Sequence, residues 1–165
     1  MVFNMLKTLL LIAITLPVLL LVAGQLGLLQ GQRPTDLGAT DGRLKGLSMT
    51  PNCVSSQATL YPEHPQRAYA AIEPLLLKDG GTSASMAALS KVLQAMPGVR
   101  VVEQTPDYIY AQAQTRWLKF TDDVEFWVNP AQQIIDMRSA SRLGRKDFSA
   151  NRNRLEAVRT AYLNS

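Results

Sequence analysis

The sequence predicts an α+β fold: an antiparallel sheet of about four to five strands with two helices packed on one face, preceded by one N-terminal transmembrane helix. Three observations support this fold class. An uncharged apolar run opens the chain, two later segments carry apolar residues at helical spacing, and short β-type runs separated by proline-containing turns lie between those segments. The predicted organisation is an anchor or signal segment at 1–29, a tether at 30–50 and an α+β domain at 51–165.

The N-terminal run TLLLIAITLPVLLLVAGQLGLL, residues 8–29, contains no charged residue. As a helix it is long enough to cross the roughly 30 Å hydrocarbon core of a bilayer. A cleaved signal peptide is the alternative, because Lys7 supplies a basic start and Val22-Ala23-Gly24 a small-residue exit. The apolar run continues to Leu29, beyond the usual length of a signal core. We therefore predict a retained, single-pass anchor with the membrane as its partner.

The basic residues that flank this anchor are almost evenly divided. Lys7 and the amino terminus precede it, and Arg33, Arg43 and Lys45 follow it. Because a first helix close to the start of a chain usually inserts with its N-terminus inside, we expect the domain on the exported, periplasmic side.

Residues 30–50 carry four glycines and little apolar periodicity. This composition is typical of a tether or of an extended arm laid over the domain. Both interpretations place the start of the folded unit near Pro51.

Apolar residues at helical spacing predict two helices that face the core. The first runs from Thr82 to Met96 and ends at Pro97-Gly98. The second spans about residues 148–163. Their buried stripes are Met86, Leu89, Leu93 and Met96 in the first helix, and Leu155, Val158 and Tyr162 in the second.

Strand-type segments fill the remainder of the domain. Residues 67–77 are predicted as an edge strand, because Pro74 breaks a helix and cannot donate within a central strand. The other predicted strands are 99–104, 108–114, 116–120, 123–129 and 132–138. If 108–114 and 116–120 form one bent strand, four strands make a meander.

The excess positive charge lies near the C-terminus. The formal net charge is +4, but residues 138–165 hold seven Arg or Lys residues and only Asp147 and Glu156 as acids. With Phe148 and Tyr162 as its only aromatic residues, this stretch lacks the stacking platform of a single-strand binder, and the chain has no nucleic-acid-binding motif. Nucleic acid is therefore not a predicted partner.

The chain has one cysteine, Cys53, and one histidine, His64. A single cysteine excludes an intrachain disulfide and a multi-cysteine metal site. No glycine-rich phosphate loop, nucleophile elbow or metalloprotease motif occurs in the sequence. We therefore predict neither a metal nor a cofactor.

Three separated motifs carry a resemblance to a known family. They are NCVSSQ at 52–57, DDVEF at 122–126, and RSASRLG at 138–144 leading through Asp147 to Asn151, Arg152 and Arg154. In this order, over about residues 51–163, the sequence resembles the domain-of-unknown-function family numbered fourteen ninety-nine. The pattern departs at Lys146, where a small residue is expected. The resemblance implies no established activity, so no catalytic role is carried over.

The strands at 123–129 and 132–138 are predicted to pair with residue 128 opposite residue 133. One face, formed by Val124, Phe126, Val128, Ile135 and Met137, then lies in the core. The other face carries Asp123, Glu125, Trp127, Asp136 and Arg138. In this register Asp123 faces Arg138. Glu125 faces Asp136, a like-charge pair that needs a cation such as Arg142.

Asn151 points close to the centre of the apolar stripe of the last helix, so its amide is predicted to be buried. A buried amide needs hydrogen-bond partners, and the Ser139-Ala140-Ser141-Arg142 segment is the expected source. Asp147 is expected to cap the start of the helix.

The candidate site is a polar cluster, and each part of it has a structural alternative. Asp122, Asp123 and Glu125 suit a divalent cation, or else an ion-pair lattice with arginines. Cys53 suits a nucleophile that would need a base, or else a packed thiol. The arginines suit an anionic ligand, or else a solvated surface. The full cluster is Cys53, Ser55, Ser56, Asp122, Asp123, Glu125, Arg138, Ser139, Ser141, Arg142, Asp147, Asn151, Arg152 and Arg154.

Two functions follow from these observations. The first is a non-enzymatic, membrane-tethered module that binds another protein or acts as an accessory subunit of a membrane or envelope complex. The second is an enzyme or anionic-ligand binder that uses the polar cluster near Cys53. A concave pocket with unpaired polar atoms favours the second function, and side chains that pair with one another favour the first.

Overall fold

The structure is a computed structural model that describes residues 2–165. Its first element is helix α1, Val2–Gln25, which contains Pro17. The span Phe3–Gln25 has a mean hydropathy of 2.5 and is exposed except near its end, where Ala23 is half-buried and Gly24 is buried. By length and composition this helix suits a membrane anchor or a signal sequence.

The domain is built on one antiparallel sheet. The strands are β1 (Cys53–Ser55), β2 (Leu75–Leu76), β3 (Val99–Gln104), β4 (Tyr108–Gln114), β5 (Thr121–Asn129) and β6 (Ile134–Ser141). Their order is β1-β6-β5-β4-β3, and β2 also pairs with β6. The predicted α+β class is confirmed, with β3 to β6 as a four-stranded meander.

Three further helices complete the domain: α2 (Arg67–Ala70), α3 (Gly81–Ala95) and α4 (Ala150–Leu163). The apolar stripes of α3 and α4 share one core with the inner face of the sheet, as predicted. The strand residues predicted for this face are all buried there: Val124, Phe126, Val128, Ile135 and Met137.

The register of β5 and β6 differs from the prediction by two residues. Val128 pairs with Ile135 and not with residue 133, so Glu125 faces Arg138 and Asp123 faces Ala140. The predicted register needs a two-residue turn that begins with Pro130. Such turns require a positive φ at their first position, which proline cannot adopt. The chain instead forms a four-residue connection.

Three other strand predictions need correction. Residues 67–77 form the short helix α2 and the two-residue strand β2 and not one edge strand. Residues 116–120 form the turn between β4 and β5. The sheet also contains β1, which the sequence pattern did not indicate because three residues are too few for a period.

Residues 30–50 form an arm that covers the outer face of the sheet, opposite the helices. Leu44 is buried, and its backbone N–H donates to Gln57 Oε1 at 2.8 Å. Asp41 and Gly42 both have positive φ and join Thr40 to Arg43 in a tight hairpin turn. We refer to residues 30–50 below as the arm.

Candidate functional site

The outer face of the sheet carries a buried ion pair between Glu125 and Arg138. Arg138 Nη1 donates to Glu125 Oε2 at 3.1 Å, and the two side chains are 3% and 0% exposed. Glu125 Oε1 also accepts hydrogen bonds from the Tyr108 hydroxyl at 3.0 Å and from the backbone N–H of Gly38 at 2.8 Å. Burial and the neighbouring Glu125 raise the pKa of Tyr108, so its hydroxyl stays protonated and donates.

A second buried pair lies beside the first. Arg142 Nε donates to both carboxylate oxygens of Asp123, at 3.1 and 3.0 Å, and Nη2 donates to Oδ1 at 2.7 Å. The Tyr110 hydroxyl donates to the same carboxylate at 2.6 Å. Hydrogen bonding to Asp123 raises the pKa of Arg142, while burial raises that of Tyr110. Arg142 and Asp123 therefore form a charge-assisted, hydrogen-bonded pair that Tyr110 supports.

The arm covers these two ion pairs on the outer face of the sheet. The Arg33 guanidinium lies 4.3 Å from the centre of the Tyr110 ring and pairs with Glu103 at 2.6 Å. Arm carbonyls accept from the arginines below, Gly46 from Arg138 at 3.4 Å and Gly31 from Arg142 at 3.5 Å. The arm therefore adds polar contacts to side chains that already pair with one another, and it covers them.

A third pair lies on the helix side of the sheet. Arg154 Nη2 donates to Asp122 Oδ2 at 2.7 Å, and Nη1 donates to Ser139 Oγ at 2.9 Å. Ser139 in turn donates to Asn151 Oδ1 at 2.6 Å. Asn151 is fully buried, as predicted, and its Nδ2 lies 3.0 Å from Ser141 Oγ. These contacts attach α4 to the start of β5 and the end of β6.

Asp147 lies just before α4 and caps its start, as predicted. Its carboxylate accepts from the backbone N–H groups of Ser149 and Asn151, both at 3.1 Å, and from the Tyr69 hydroxyl. Burial acts to raise the pKa of Asp147, but these hydrogen bonds outweigh it and hold that pKa below its usual value. Burial, together with this hydrogen bond, raises the pKa of Tyr69 to about 12. Asp147 is therefore a helix cap and not a free acid.

The Cys53 thiol is buried in β1, and no side chain of residues 2–165 forms a hydrogen bond with it. The Nδ1 atom of His64, the only histidine in the chain, accepts from the backbone N–H of Gln66. Ser55 is also buried, and its Oγ accepts from the N–H of Gln57 at 3.2 Å. This geometry favours a packed thiol over a nucleophile.

Two predicted residues, Ser56 and Arg152, lie elsewhere, at an open groove of about 690 Å³ beside β1 and β6. The groove contains Asp136, which is 3% exposed and which the sequence left outside the candidate cluster. The Asp136 carboxylate accepts three hydrogen bonds: from Ser56 Oγ at 2.6 Å, from Gln57 Nε2 at 2.8 Å and from Asn129 Nδ2 at 3.1 Å. The signal for this site was Asp136 itself, an acid that directly follows the apolar residues Ile134 and Ile135.

Almost every buried polar atom of the candidate cluster has a partner. Within the described part of the chain, the only buried side-chain nitrogen or oxygen atoms without one are Asn52 Oδ1 and Arg138 Nε. Residues 2–165 also contain no group of three or more acidic, histidine or cysteine side chains arranged to hold a metal ion. The structure thus divides the predicted cluster into an outer group, a helix-side group and the Asp136 groove.

Comparison with known proteins gives a family and no activity. The family model described as a protein of unknown function (DUF1499) matches residues 43–162. No curated protein matches the chain. The matched region includes all three motifs and every strand of the sheet, so the chain belongs to the DUF1499 family.

Proposed function

We propose that this protein is a non-enzymatic, membrane-tethered module that binds another protein as an accessory part of a membrane or envelope complex. The observation that carries the proposal is the pairing of the acidic and arginine side chains with one another. Glu125, Asp123 and Asp122 each have their own arginine at 2.7 to 3.1 Å. Each of these charges is compensated by its partner and would be left unpaired if the partner turned to a substrate, so the pairs are not free for a ligand.

The contact between α1 and the domain supports retention of the anchor. Gln25 Nε2 donates to the Trp117 carbonyl at 2.8 Å, and a Cβ on the buried Gly24 would lie 2.6 Å from the Leu118 carbonyl oxygen. Cleavage at the small residues before Gln25 would remove this packing. We therefore expect the mature chain to keep α1. We expect the domain on the exported side because a first helix close to the start of a chain usually inserts with its N-terminus inside.

Three measurements test the anchor and its orientation. Intact-mass analysis of the chain from membranes should give a mass that includes α1, and alkaline carbonate should leave the chain in the membrane pellet. Protease added outside spheroplasts should digest the domain, whereas the domain should be protected from protease in inverted vesicles. A mass lacking the first segment, or the opposite protection, would contradict this part of the proposal.

Purification of the full chain in mild detergent tests for a protein partner. The matched control joins residues 1–30 to an unrelated soluble domain, so that proteins attracted by the apolar helix alone appear in both samples. We expect a stoichiometric partner with the full chain only. Identical sets of proteins in the two samples would count against a binding module.

The enzymatic alternative makes an opposite prediction for Arg142. If Arg142 serves a reaction, Arg142→Ala should keep the fold and lose activity. If Arg142 is structural, the same change should lower the stability of the chain markedly, because Asp123 is 2% exposed and would lose its cation. Urea unfolding of the two chains distinguishes these outcomes.

Small-ligand binding is a second candidate function, and the Asp136 groove favours it. The Asp136 carboxylate is buried and its hydrogen-bond partners within residues 2–165 are neutral. A cationic group on a ligand would complete this site. We expect ethanolamine or spermidine to raise the thermal midpoint of the full chain and not that of Asp136→Asn, with the exposed Glu63→Gln as control. Equal shifts in all three chains would exclude the groove.

A further inference from the structure

The end of α1 is packed onto the domain. Gly24 is buried against the backbone of Leu118, and the next residue, Gln25, donates to the Trp117 carbonyl. After the helix, a Cβ on Gly31 would lie 2.8 Å from Arg142 Cβ and 3.0 Å from Leu143 Cγ. Two turns of the domain therefore flank the point where the chain leaves α1, namely residues 115–120 and 142–146. We call these two turns the exit rim.

The exit rim presents apolar and aromatic surface to solvent. The Trp117 side chain is 62% exposed, and the Arg116 guanidinium lies 4.9 Å from the centre of its ring. Leu143, on the other turn, is 43% exposed. An exposed tryptophan level with the end of an apolar helix is typical of the interface between hydrocarbon and headgroups.

The charge of the exit rim has one sign. It contains no acidic residue, and four of its basic side chains form no ion pair within residues 2–165: Arg116, Lys119, Arg145 and Lys146. Its fifth cation, Arg142, is occupied by Asp123. A basic surface beside a membrane helix is complementary to anionic lipid headgroups.

We propose that the exit rim is a membrane-contact surface that holds the domain against an anionic bilayer, with Trp117 in the interfacial layer. The occupant is a lipid surface and not a protein, because the contact between Gln25 and Trp117 places the rim at the level where α1 leaves the hydrocarbon core. This inference rests on the retained anchor of the proposed function. Its consequence is that the domain has a fixed orientation to the membrane.

Depth-dependent quenching of Trp117 tests the proposal in the full chain. Trp127→Phe leaves Trp117 as the only tryptophan, and the chain is reconstituted in phosphatidylcholine vesicles with or without phosphatidylglycerol. We expect blue-shifted emission that is quenched by lipids brominated near the carbonyl end and protected from aqueous acrylamide. Emission typical of water, with full acrylamide quenching in both vesicle types, would overturn the proposal.

A matched tryptophan at the opposite end of the sheet provides the control. Leu76 is 71% exposed and pairs with Ile134, at the start of β6, whereas the rim follows the end of that strand. Eight strand residues separate these ends by about 26 Å. Leu76→Trp in a chain that lacks both native tryptophans should stay in water. Quenching of both positions by brominated lipid would indicate non-specific adsorption and refute a defined rim.

Charge removal tests the electrostatic part. Lys119→Gln with Arg145→Gln should lower the ratio of lipid-contacting to free Trp117 by roughly 25-fold in anionic vesicles, since each basic residue near such a surface contributes about fivefold. Lys78→Gln, near β2, is the control and should leave the ratio unchanged. If Lys78→Gln lowered the ratio as much as the double variant, the assignment of the membrane contact to the exit rim would be contradicted. Vesicle flotation is read in parallel: chains that float but keep Trp117 in water refute the rim alone, whereas chains that do not float refute the anchor.

Discussion

Replacing Glu125 by glutamine should destabilise the chain strongly. Glutamine keeps an acceptor for Tyr108 and Gly38 but removes the negative charge opposite Arg138, which is 3% exposed. An uncompensated buried charge costs about 3–5 kcal/mol. Because a domain of this size is stable by only about 5–15 kcal/mol, this single change should remove a large share of the unfolding free energy.

Urea unfolding of the full chain in detergent micelles, followed by tryptophan emission, measures this loss. Glu156, the exposed member of the pair with Arg159 on α4, provides the control, and Glu156→Gln should change the free energy of unfolding by less than about 0.5 kcal/mol. The double variant Glu125→Leu with Arg138→Met should recover most of the loss, because both charges leave together. If Glu125→Gln and Glu156→Gln have the same effect, the reasoning about the buried pair is refuted.

Four further predictions test other parts of the structure. The pKa of Asp147 is lowered in the folded chain, so this carboxylate stabilises the fold at pH values above its ordinary pKa of 3.8. That stability is lost as the pH falls through the folded-state pKa. Asp147→Asn should therefore make the unfolding free energy fall less steeply in acid. The raised pKa of Tyr69 contributes stability below pH 10 that is lost as the pH rises towards 12. Tyr69→Phe should therefore reduce the dependence of unfolding on alkaline pH, measured by circular dichroism. Asn151→Leu should lower the unfolding free energy by about 2–4 kcal/mol in urea titrations, because buried donors and acceptors lose partners. Gly24→Val should separate α1 from the 115–120 turn and increase tryptic cleavage at Arg116 in vesicles.

Periodicity predicted the helices and the sheet faces because those patterns are local. The stripe that contains Leu155 and Tyr162 marks one side of a helix whatever lies nearby, and alternation along β5 fixes which side chains are buried. The burial of Asn151 followed from the same geometry. The family resemblance was confirmed as well, but it concerned identity and gave no residue a role.

Pairing partners were predicted less well because they depend on turns and on distant segments. A shift of two residues keeps every side chain on its face, so alternation does not distinguish Glu125 opposite Asp136 from Glu125 opposite Arg138. Pro130 was the informative residue, since it excludes the shorter turn. The arm, with its amide from Gly38, left no periodic signal, because irregular chain is recognised only through the surface it covers.

The arm also determines when the domain is completed during synthesis. Gly38 and Gly31 leave the ribosome soon after α1, yet their hydrogen-bond partners, Glu125 and Arg142, follow 87 and 111 positions later. At roughly 5–20 residues per second, this delay is on the order of 4–20 s. This part of the arm therefore lacks its contacts to Glu125 and Arg142 while the sheet is still being made. A chaperone that shields residues 31–38 during this interval would act before those contacts exist.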